Sequence, residues 1–268
     1  MSSAGKPPRF PLRLDQVGAP TGRELLRPQT PLQQAHADAA RHAAPSGLGL
    51  DSADVRRRMV QRLQAQGLQH AAVAAALAEV PRHAFVDAAL ATQAYEDTSL
   101  PIGLGQTISK PSVVARMIEL LMQGANARAA GSLLRTLEIG TGCGYQAALL
   151  ARLARQVISI ERLKPLHDKA GANLAPLRPG NLRLVYGDGM RGHPPNAPYD
   201  SIIAAAGGQA LPPAWLEQMA IGGRLVAPLQ TPHTQQQTLV VVDRHEGGYE
   251  HSIHESVKFV PLKSGLGA

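Results

Sequence analysis

The chain has 268 residues, of which 44% are hydrophobic and 18% are charged, so it is long enough to bury a sizeable core. Its net charge is +7, but three Phe, five Tyr and one Trp argue against RNA binding by base stacking on exposed aromatic side chains. The single cysteine, Cys143, excludes an internal disulfide and a cysteine-based zinc site, and is typical of a reducing compartment.

No apolar run approaches the roughly 18 residues needed to span a bilayer. The longest, residues 71–78, stops at Glu79. The first residues also lack the apolar region of a secretory signal. We therefore expect a cytoplasmic protein with no membrane partner.

Residues 1–50 differ in composition from the rest of the chain. They are rich in Pro, Ala, Gly and Gln, and show no sustained apolar period. Such a segment buries too little apolar surface to offset the entropy of ordering it. We predict a disordered extension. A targeting peptide is the alternative, although no clear amphipathic helix supports it.

Residues 51–125 are predicted to form a helical region beside the substrate. Ser52 can cap a first helix, which ends at Gly67 and has an apolar face of Val55, Met59, Val60 and Leu63. A second helix is predicted over residues 69–78 and a loop over residues 95–110. Pro111 suits the start of a third helix. The inward residues of that helix are predicted to be Val114, Met117, Ile118 and Leu121.

Residues 133–228 alternate short apolar runs with helical stretches, which predicts an α/β core. The predicted strands are residues 133–139, 156–160, 182–186, 201–205 and 224–227, and the predicted helices are residues 145–153, 166–174 and 214–220. This alternation is typical of a mostly parallel, doubly wound, Rossmann-like sheet. Residues 238–242 and 249–259 have no helix between them, so within residues 238–268 we expect antiparallel edge strands joined at Gly247 and Gly248.

The strongest local pattern is Leu-Glu-Ile-Gly-Thr-Gly-Cys-Gly-Tyr at residues 137–145, between a predicted strand and a predicted helix. Alternate glycines allow a tight turn and a close approach of the backbone to a ligand, and the helix N-terminus offers free N–H groups. We interpret this segment as a ligand-binding loop. Its candidate binding residues are Glu138, Gly140, Thr141, Gly142, Cys143 and Gly144.

The glycine spacing indicates which ligand the loop binds. A nicotinamide-binding loop has the pattern G-x-G-x-x-G, but position 145 is Tyr. The pattern E-x-G-x-G-x-G instead resembles the first motif of Rossmann-like methyltransferases, which bind S-adenosylmethionine. We interpret Cys143 as a small filler of this loop and not as a nucleophile.

Two acidic residues follow the next two strands. Glu161 ends the second strand, 19 residues after Gly142, where a carboxylate can accept hydrogen bonds from ribose hydroxyls. Asp188 and Gly189 lie just after the third strand. In methyltransferases an acid at this point contacts the adenine amino group. The alternative is an ordinary Asp-Gly turn.

The segment at residues 95–111 is rich in small polar residues and resembles one family closely. Protein-L-isoaspartate O-methyltransferases carry a segment much like Leu-Pro-Ile-Gly-x-Gly-Gln-Thr-Ile-Ser-x-Pro, found here at residues 100–111. The resemblance covers about residues 51–264. It continues through Val80-Pro81-Arg82-x-x-Phe85-Val86, residues 137–146, Gly187-Asp188-Gly189, Gly222-Gly223-x-Leu225-Val226-x-Pro228 and Phe259-Val260-Pro261-Leu262.

The resemblance implies transfer of a methyl group from S-adenosylmethionine to the α-carboxylate of L-isoaspartyl residues, with S-adenosylhomocysteine as product. A carboxylate with a pKa near ~3.5–4 is already ionised at neutral pH, so no general base is needed. Ser109 is the candidate catalytic residue, orienting the carboxylate through its hydroxyl. Gln106, Thr107 and Ile108 are the candidate substrate-binding residues. The alternative role of Ser109 is to cap the helix that starts at Pro111.

Other functions remain open at this point. A methyltransferase acting on RNA is the main alternative, but residues 204–209 read Ala-Ala-Ala-Gly-Gly-Gln where such enzymes often have Asn/Asp-Pro-Pro-aromatic. This segment also departs from the isoaspartyl family pattern. His251 and His254 lie three apart in a predicted strand and point to opposite faces, so we expect no metal. The expected partners are isoaspartyl proteins and peptides, not nucleic acid, and we expect a monomer.

Overall fold

The computed structural model describes residues 53–231 and 236–267. The extension predicted over residues 1–50 and the cap predicted at Ser52 lie outside the described residues.

The helices before the sheet carry the predicted apolar stripes. Their bounds are α1 (Ala53–Ala65), α2 (Ala71–Glu79), α3 (Pro111–Met122) and α4 (Ala125–Ala130), with 3₁₀ turns at Arg82–Phe85 and Ala88–Gln93. α1 buries Met59, Val60 and Leu63. Pro111 begins α3, where its missing N–H costs no helical hydrogen bond. The periodicity of apolar residues does not predict α4, because six Ala-rich residues are too few to show such a period.

The predicted loop at residues 95–110 is wrong in part, because it contains an antiparallel hairpin. Strand β1 (Leu100–Gly103) pairs with strand β2 (Gln106–Ile108). Leu104 lies between glycines 103 and 105, and all three have a positive φ, which forms the tight turn. Leu100 and Ile108 are buried and paired, which anchors the hairpin to the core. Strands of three and four residues are too short to show an alternating pattern.

A seven-stranded sheet forms the rest of the domain, with its strands alternating with helices as predicted. In chain order the elements are β3 (Arg135–Ile139), α5 (Tyr145–Leu153), β4 (Gln156–Glu161), α6 (Lys164–Leu174), β5 (Leu182–Tyr186), β6 (Tyr199–Ala204), α7 (Pro213–Glu217), β7 (Met219–Gln230), β8 (Gln237–His245) and β9 (Gly248–Val257). β7 starts before the predicted residue 224, because an irregular register accommodates Gly222 and Gly223.

The strand order is β5-β4-β3-β6-β7-β8-β9. The first five of these strands are parallel, whereas β8 and β9 pair antiparallel at one edge. The predicted fold class, a mostly parallel Rossmann-like sheet with antiparallel edge strands and N-terminal helices, is therefore confirmed. The reversal between β3 and β6 is the kind of topological switch point where α/β folds bind ligands.

The five inner strands of the sheet bury side chains on both faces, whereas the edge strands β5 and β9 have no fully buried residue. Helices α1 to α6 pack on one face around residues such as Leu77, Met117 and Leu149, while α7 places Trp215 on the other face. The Trp215 indole N–H donates to the Gly189 carbonyl at 2.8 Å, which joins the second layer to the loop after β5. Among the helices of residues 53–231 and 236–267, none combines the length and apolar character required to cross a bilayer.

Candidate active site

A pocket lies at the carboxyl ends of β3, β4 and β6. Its walls come from the loop after β3, the turn after β4, the β1–β2 hairpin, the loop after β6 and the segment after β9. The predicted site residues that line it are Gln106, Thr107, Ile108, Ser109, Gly140, Thr141, Gly142, Cys143, Glu161 and Gly189. Separate segments of the sequence therefore meet at one cavity, because the carboxyl ends of neighbouring parallel strands share an edge of the sheet.

The three glycines of the loop after β3 have different roles. Gly140 and Gly142 line the pocket with φ of 90° and 57°, and a Cβ on Gly142 would lie 3.2 Å from Ile102 Cδ1. Gly144, with φ of 93°, does not line the pocket and packs on α6, where a Cβ would lie 3.1 Å from Leu174 Cδ1. The first two glycines therefore leave room for a ligand against the backbone, while the third allows close packing between helices.

Glu161 lies on the pocket wall at the end of β4 and is 5% exposed. Its two carboxylate oxygens accept hydrogen bonds from the Gly142 N–H at 2.8 Å and the Leu163 N–H at 3.0 Å. Charge-assisted bonds of this kind hold an acceptor rigidly, and each oxygen keeps a further lone pair. Glu161 therefore couples the glycine loop to the turn after β4 and can still accept from a ligand.

Glu138 lies beneath the loop rather than on the pocket wall. It is completely buried, its Oε1 accepts from Gln146 Nε2 at 3.0 Å, and its Oε2 lies 2.5 Å from Ser159 Oγ, with which it shares a hydrogen bond. Ser159 Oγ in turn lies 2.6 Å from Thr141 Oγ1, so the network reaches a residue of the pocket. Burial raises the pKa of the Glu138 carboxyl to about 8, so the group is protonated at neutral pH.

This shift predicts a pH-dependent stability. Between about pH 4.5 and about pH 8 the unfolded chain releases the Glu138 proton while the folded protein retains it, so the contribution of Glu138 to the free energy of unfolding falls as pH rises. We expect Glu138→Gln to remove this component, so that the stability of the wild type relative to the variant declines from pH 5 to pH 8. Urea unfolding at several pH values measures it.

The control for this prediction is Glu79→Gln, because Glu79 is an exposed surface carboxylate on α2. Its pH profile gives the baseline for replacing a carboxylate outside the buried network. A Glu138→Gln profile parallel to that of the wild type would contradict the protonated, buried state of Glu138.

Asp188 and Gly189 differ in their relation to the pocket. Gly189 lines it, and a Cβ there would lie 2.6 Å from Ile139 Cγ2, so only glycine fits. The Asp188 carboxylate accepts from the Met190 N–H at 3.0 Å and from the Gly265 N–H at 2.7 Å. Asp188 thus fastens the C-terminal segment beside the pocket, a contact between residues 77 apart that no local pattern indicates.

Cys143 lines the pocket and is 3% exposed. Burial raises the pKa of its thiol, so the reactive thiolate is disfavoured. Its carbonyl accepts from Asn173 Nδ2 at 2.9 Å, which connects the loop to α6. This environment suits a small apolar filler.

Ser109 lies where the pocket meets a second, outer groove. Thr107, Ser109 and Val260 line both cavities, and the groove continues along Lys258 and Phe259. A ligand held by the glycine loop and a chain lying in the groove would therefore meet at Ser109.

The alternative role of Ser109 as a helix cap is wrong. The N-cap position of α3 is Lys110, and no side chain there makes a capping hydrogen bond. Instead, the Asp97 carboxylate accepts from the Ser112 N–H and hydroxyl, both at 2.8 Å. Since Asp97 binds the first turn of the helix, the Ser109 hydroxyl is not needed there.

The C-terminal segment forms a wall of the pocket. No pattern in the sequence predicts that this segment lies there. Its lining residues are Val260, Pro261, Leu262 and Lys263, next to Ala205 and Ala206 of the loop after β6. Gly207 connects the two: its N–H donates to the Val260 carbonyl at 2.8 Å, and its carbonyl accepts from the Leu262 N–H at 2.7 Å. A Cβ on Gly207 would lie 2.5 Å from Gln237 Nε2, so the Gln237 amide, which binds the Phe259 backbone, would have to move.

The signal that could have found this wall is the Phe-Val-Pro-Leu motif at residues 259–262, which is apolar although it follows the last strand. Likewise, exposed Leu104 in the β1–β2 turn lines the pocket.

Comparisons with known proteins agree with the resemblance that the sequence motifs show. Residues 54–267 match the family model described as protein-L-isoaspartate(D-aspartate) O-methyltransferase. The protein-L-isoaspartate O-methyltransferase of Methylibium petroleiphilum is 64% identical, covering 99% of each chain. That of Leptothrix cholodnii is 56% identical, covering 98% of this chain and 97% of the relative.

Solved structures agree in fold. A protein-L-isoaspartate O-methyltransferase, 27% identical, has a TM-score of 0.70 and is matched over 79% of this chain and 67% of its own. A Plasmodium falciparum structure, 22% identical, contains S-adenosylhomocysteine and has a TM-score of 0.67 over 78% of this chain and 98% of its own.

Proposed function

We propose how the pocket works in this chain, which belongs to the protein-L-isoaspartate(D-aspartate) O-methyltransferase family. The chain transfers a methyl group from S-adenosylmethionine to the free α-carboxylate of L-isoaspartyl residues in damaged proteins and peptides, which initiates their repair, and releases S-adenosylhomocysteine. The observation that supports our assignment of residues is the position of Ser109, at the junction of the pocket and the outer groove.

The residues of the pocket fit the methyl donor. Gly140 and Gly142 leave the backbone open at the loop, and Glu161 presents carboxylate lone pairs that suit ribose hydroxyls. We place the purine end near Gly189. Asp188 does not line the pocket, but it precedes Gly189 and its carboxylate keeps further lone pairs, so we propose it as the partner of the adenine amino group. Glu138 acts indirectly in this proposal: through Ser159 it orients Thr141 on the pocket wall.

The donor supplies an electrophilic methyl group on a sulfonium, so the protein has little covalent chemistry to perform. The acceptor carboxylate is ionised at neutral pH, and no residue has to remove a proton from it. The task of the chain is orientation, which can contribute up to ~7–11 kcal/mol in well-aligned systems. We assign this task to Ser109, whose hydroxyl donates to one carboxylate oxygen while the other oxygen attacks.

The remaining residues of β2 shape the same pocket. Gln106, Thr107 and Ile108 are the proposed substrate contacts, since all three line the cavity next to Ser109. The substrate main chain would continue along the outer groove past Lys258 and Phe259. The groove adjoins Ser256 and Val257 at the end of β9.

The experiment that tests this function compares two peptides that differ only in Asp and L-isoAsp at one position. We expect methyl transfer to the isoaspartyl peptide and almost none to the aspartyl peptide, measured with a labelled methyl donor. Equal transfer to both peptides would contradict the proposed acceptor. Transfer to RNA with no transfer to either peptide would support the nucleic-acid alternative.

We also propose that the protein acts as a monomer in the cytoplasm, without nucleic acid as a partner. The single cysteine and the low aromatic content support this proposal. Size-exclusion chromatography with light scattering measures the oligomeric state, and cell fractionation measures the location.

A further inference from the structure

Arg82 is a buried cation close to the pocket. It lies in the 3₁₀ turn after α2, and its side chain is 0% exposed. Across residues 53–231 and 236–267 it makes no ion pair with a carboxylate. Burying a guanidinium without such a partner is costly, and its Nη1 has no hydrogen-bond partner among the described residues, so the contacts of Nε and Nη2 must offset the lost hydration.

Those contacts are carbonyl groups on both sides of the β1–β2 hairpin. Arg82 Nε donates to the Ala94 carbonyl at 2.7 Å, and Nη2 donates to the Ser109 carbonyl at 2.7 Å. Nη2 also lies 3.5 Å from the Thr98 carbonyl. One planar group therefore holds the chain entering the hairpin and the chain leaving it at fixed separation. The residue held at the exit is Ser109 itself.

The guanidinium also contacts the start of α5, which directly follows the glycine loop. Its Cζ lies 4.8 Å from the ring centroid of Tyr145, the first residue of α5 and a residue of the pocket wall. Phe85, from the same turn as Arg82, packs edge-on against this ring with centroids 5.6 Å apart. Cation–π contact and fork geometry both favour Arg over Lys. Arg82 thus joins the acceptor side of the pocket to its donor side.

We propose that Arg82 is a positioning residue that sets the direction of the Ser109 hydroxyl by holding the Ser109 carbonyl, an inference that rests on the role proposed for Ser109. The Ser109 side chain departs from the same residue whose carbonyl is fixed at 2.7 Å, so release of that carbonyl allows the hydroxyl to turn away from the carboxylate. Misplacement by about 1 Å can reduce a rate about a hundredfold.

The test uses Arg82→Lys and Arg82→Gln, which keep donors but lose the three-way fork. We expect kcat/KM for an isoaspartyl peptide to fall roughly ten- to hundredfold, while the affinity for S-adenosylhomocysteine, measured by calorimetry, changes less than about threefold. Arg244→Lys is the matched control, because Arg244 also donates to the Met219 carbonyl and lies 5.8 Å from a tyrosine ring, that of Tyr249, outside the pocket. Its kinetics should stay near those of the wild type.

A double variant separates positioning from general support of the core. If Arg82 acts through Ser109, Arg82→Lys combined with Ser109→Ala should be no slower than Ser109→Ala by more than about twofold. Fully multiplicative effects, wild-type kinetics of Arg82→Lys, or an equal loss of S-adenosylhomocysteine affinity would each overturn the proposal. So would failure of both Arg82 variants to fold at 15 °C while Arg244→Lys folds.

The same data distinguish this proposal from the proposed function. If the wild type does not discriminate between the isoaspartyl and aspartyl peptides, the function is wrong. If it discriminates and Ser109→Ala is slow, but the Arg82 variants are normal, only the positioning role is wrong.

Discussion

Ser109→Asp is expected to fold and to lose nearly all methyl transfer to an isoaspartyl peptide. The new carboxylate would face the substrate carboxylate, and two like charges about 4 Å apart repel by about 4 kcal/mol near a protein surface, which corresponds to roughly a thousandfold in rate. The fold should survive because Ser109 is only partly buried and does not cap α3. Initial rates with a labelled donor measure the loss, and circular dichroism checks the fold.

Ser109→Ala tests the hydrogen bond without adding charge. Loss of an orienting bond of about 1.5–3 kcal/mol predicts a rate roughly 10- to 150-fold lower, with little change in cofactor affinity. Ser112→Ala is the matched control. Ser112 lies in the first turn of α3, its hydroxyl donates to Asp97, and it does not line the pocket. The control should lose some stability and keep its kinetics. Near-normal turnover by Ser109→Asp would refute the proposed role.

Glu161→Ala is expected to weaken binding of S-adenosylmethionine and S-adenosylhomocysteine, with less effect on the peptide KM. A charged acceptor contributes about 1.5–3 kcal/mol, or roughly 10- to 150-fold in affinity. The structure adds a second cause, because the Gly142 and Leu163 N–H groups would lose the carboxylate that holds them. Titration calorimetry with S-adenosylhomocysteine measures the change.

Glu161→Gln refines this experiment, because glutamine keeps the shape and one acceptor oxygen. We expect its affinity to lie between those of the wild type and Glu161→Ala. A folded Glu161→Ala protein that binds S-adenosylhomocysteine as tightly as the wild type would remove Glu161 from the cofactor site.

Local patterns predicted most of the α/β core because they depend on neighbours in sequence. The helix from Tyr145 to Leu153 and the strand from Leu182 to Tyr186 have the predicted bounds, since apolar period and glycine punctuation act within a few residues. The same reasoning missed the β1–β2 hairpin. Its strands are short, and contacts with distant segments stabilise them: Leu100 and Ile108 are buried against the rest of the core, and Arg82 holds the chain on both sides.

The sequence by itself determined the fold class, the glycine loop with Glu161, and the Gln-Thr-Ile-Ser segment at residues 106–109, because each is a contiguous pattern or lies at a strand end. Only the tertiary structure decided that Glu138 lies beneath the pocket, that residues 260–263 form a wall of it, and that Arg82 holds the Ser109 carbonyl. The physical reason is that burial and hydrogen bonding between separate segments, such as Arg82 and Ser109, which are 27 residues apart, arise only when those segments pack together, and no local spacing encodes them.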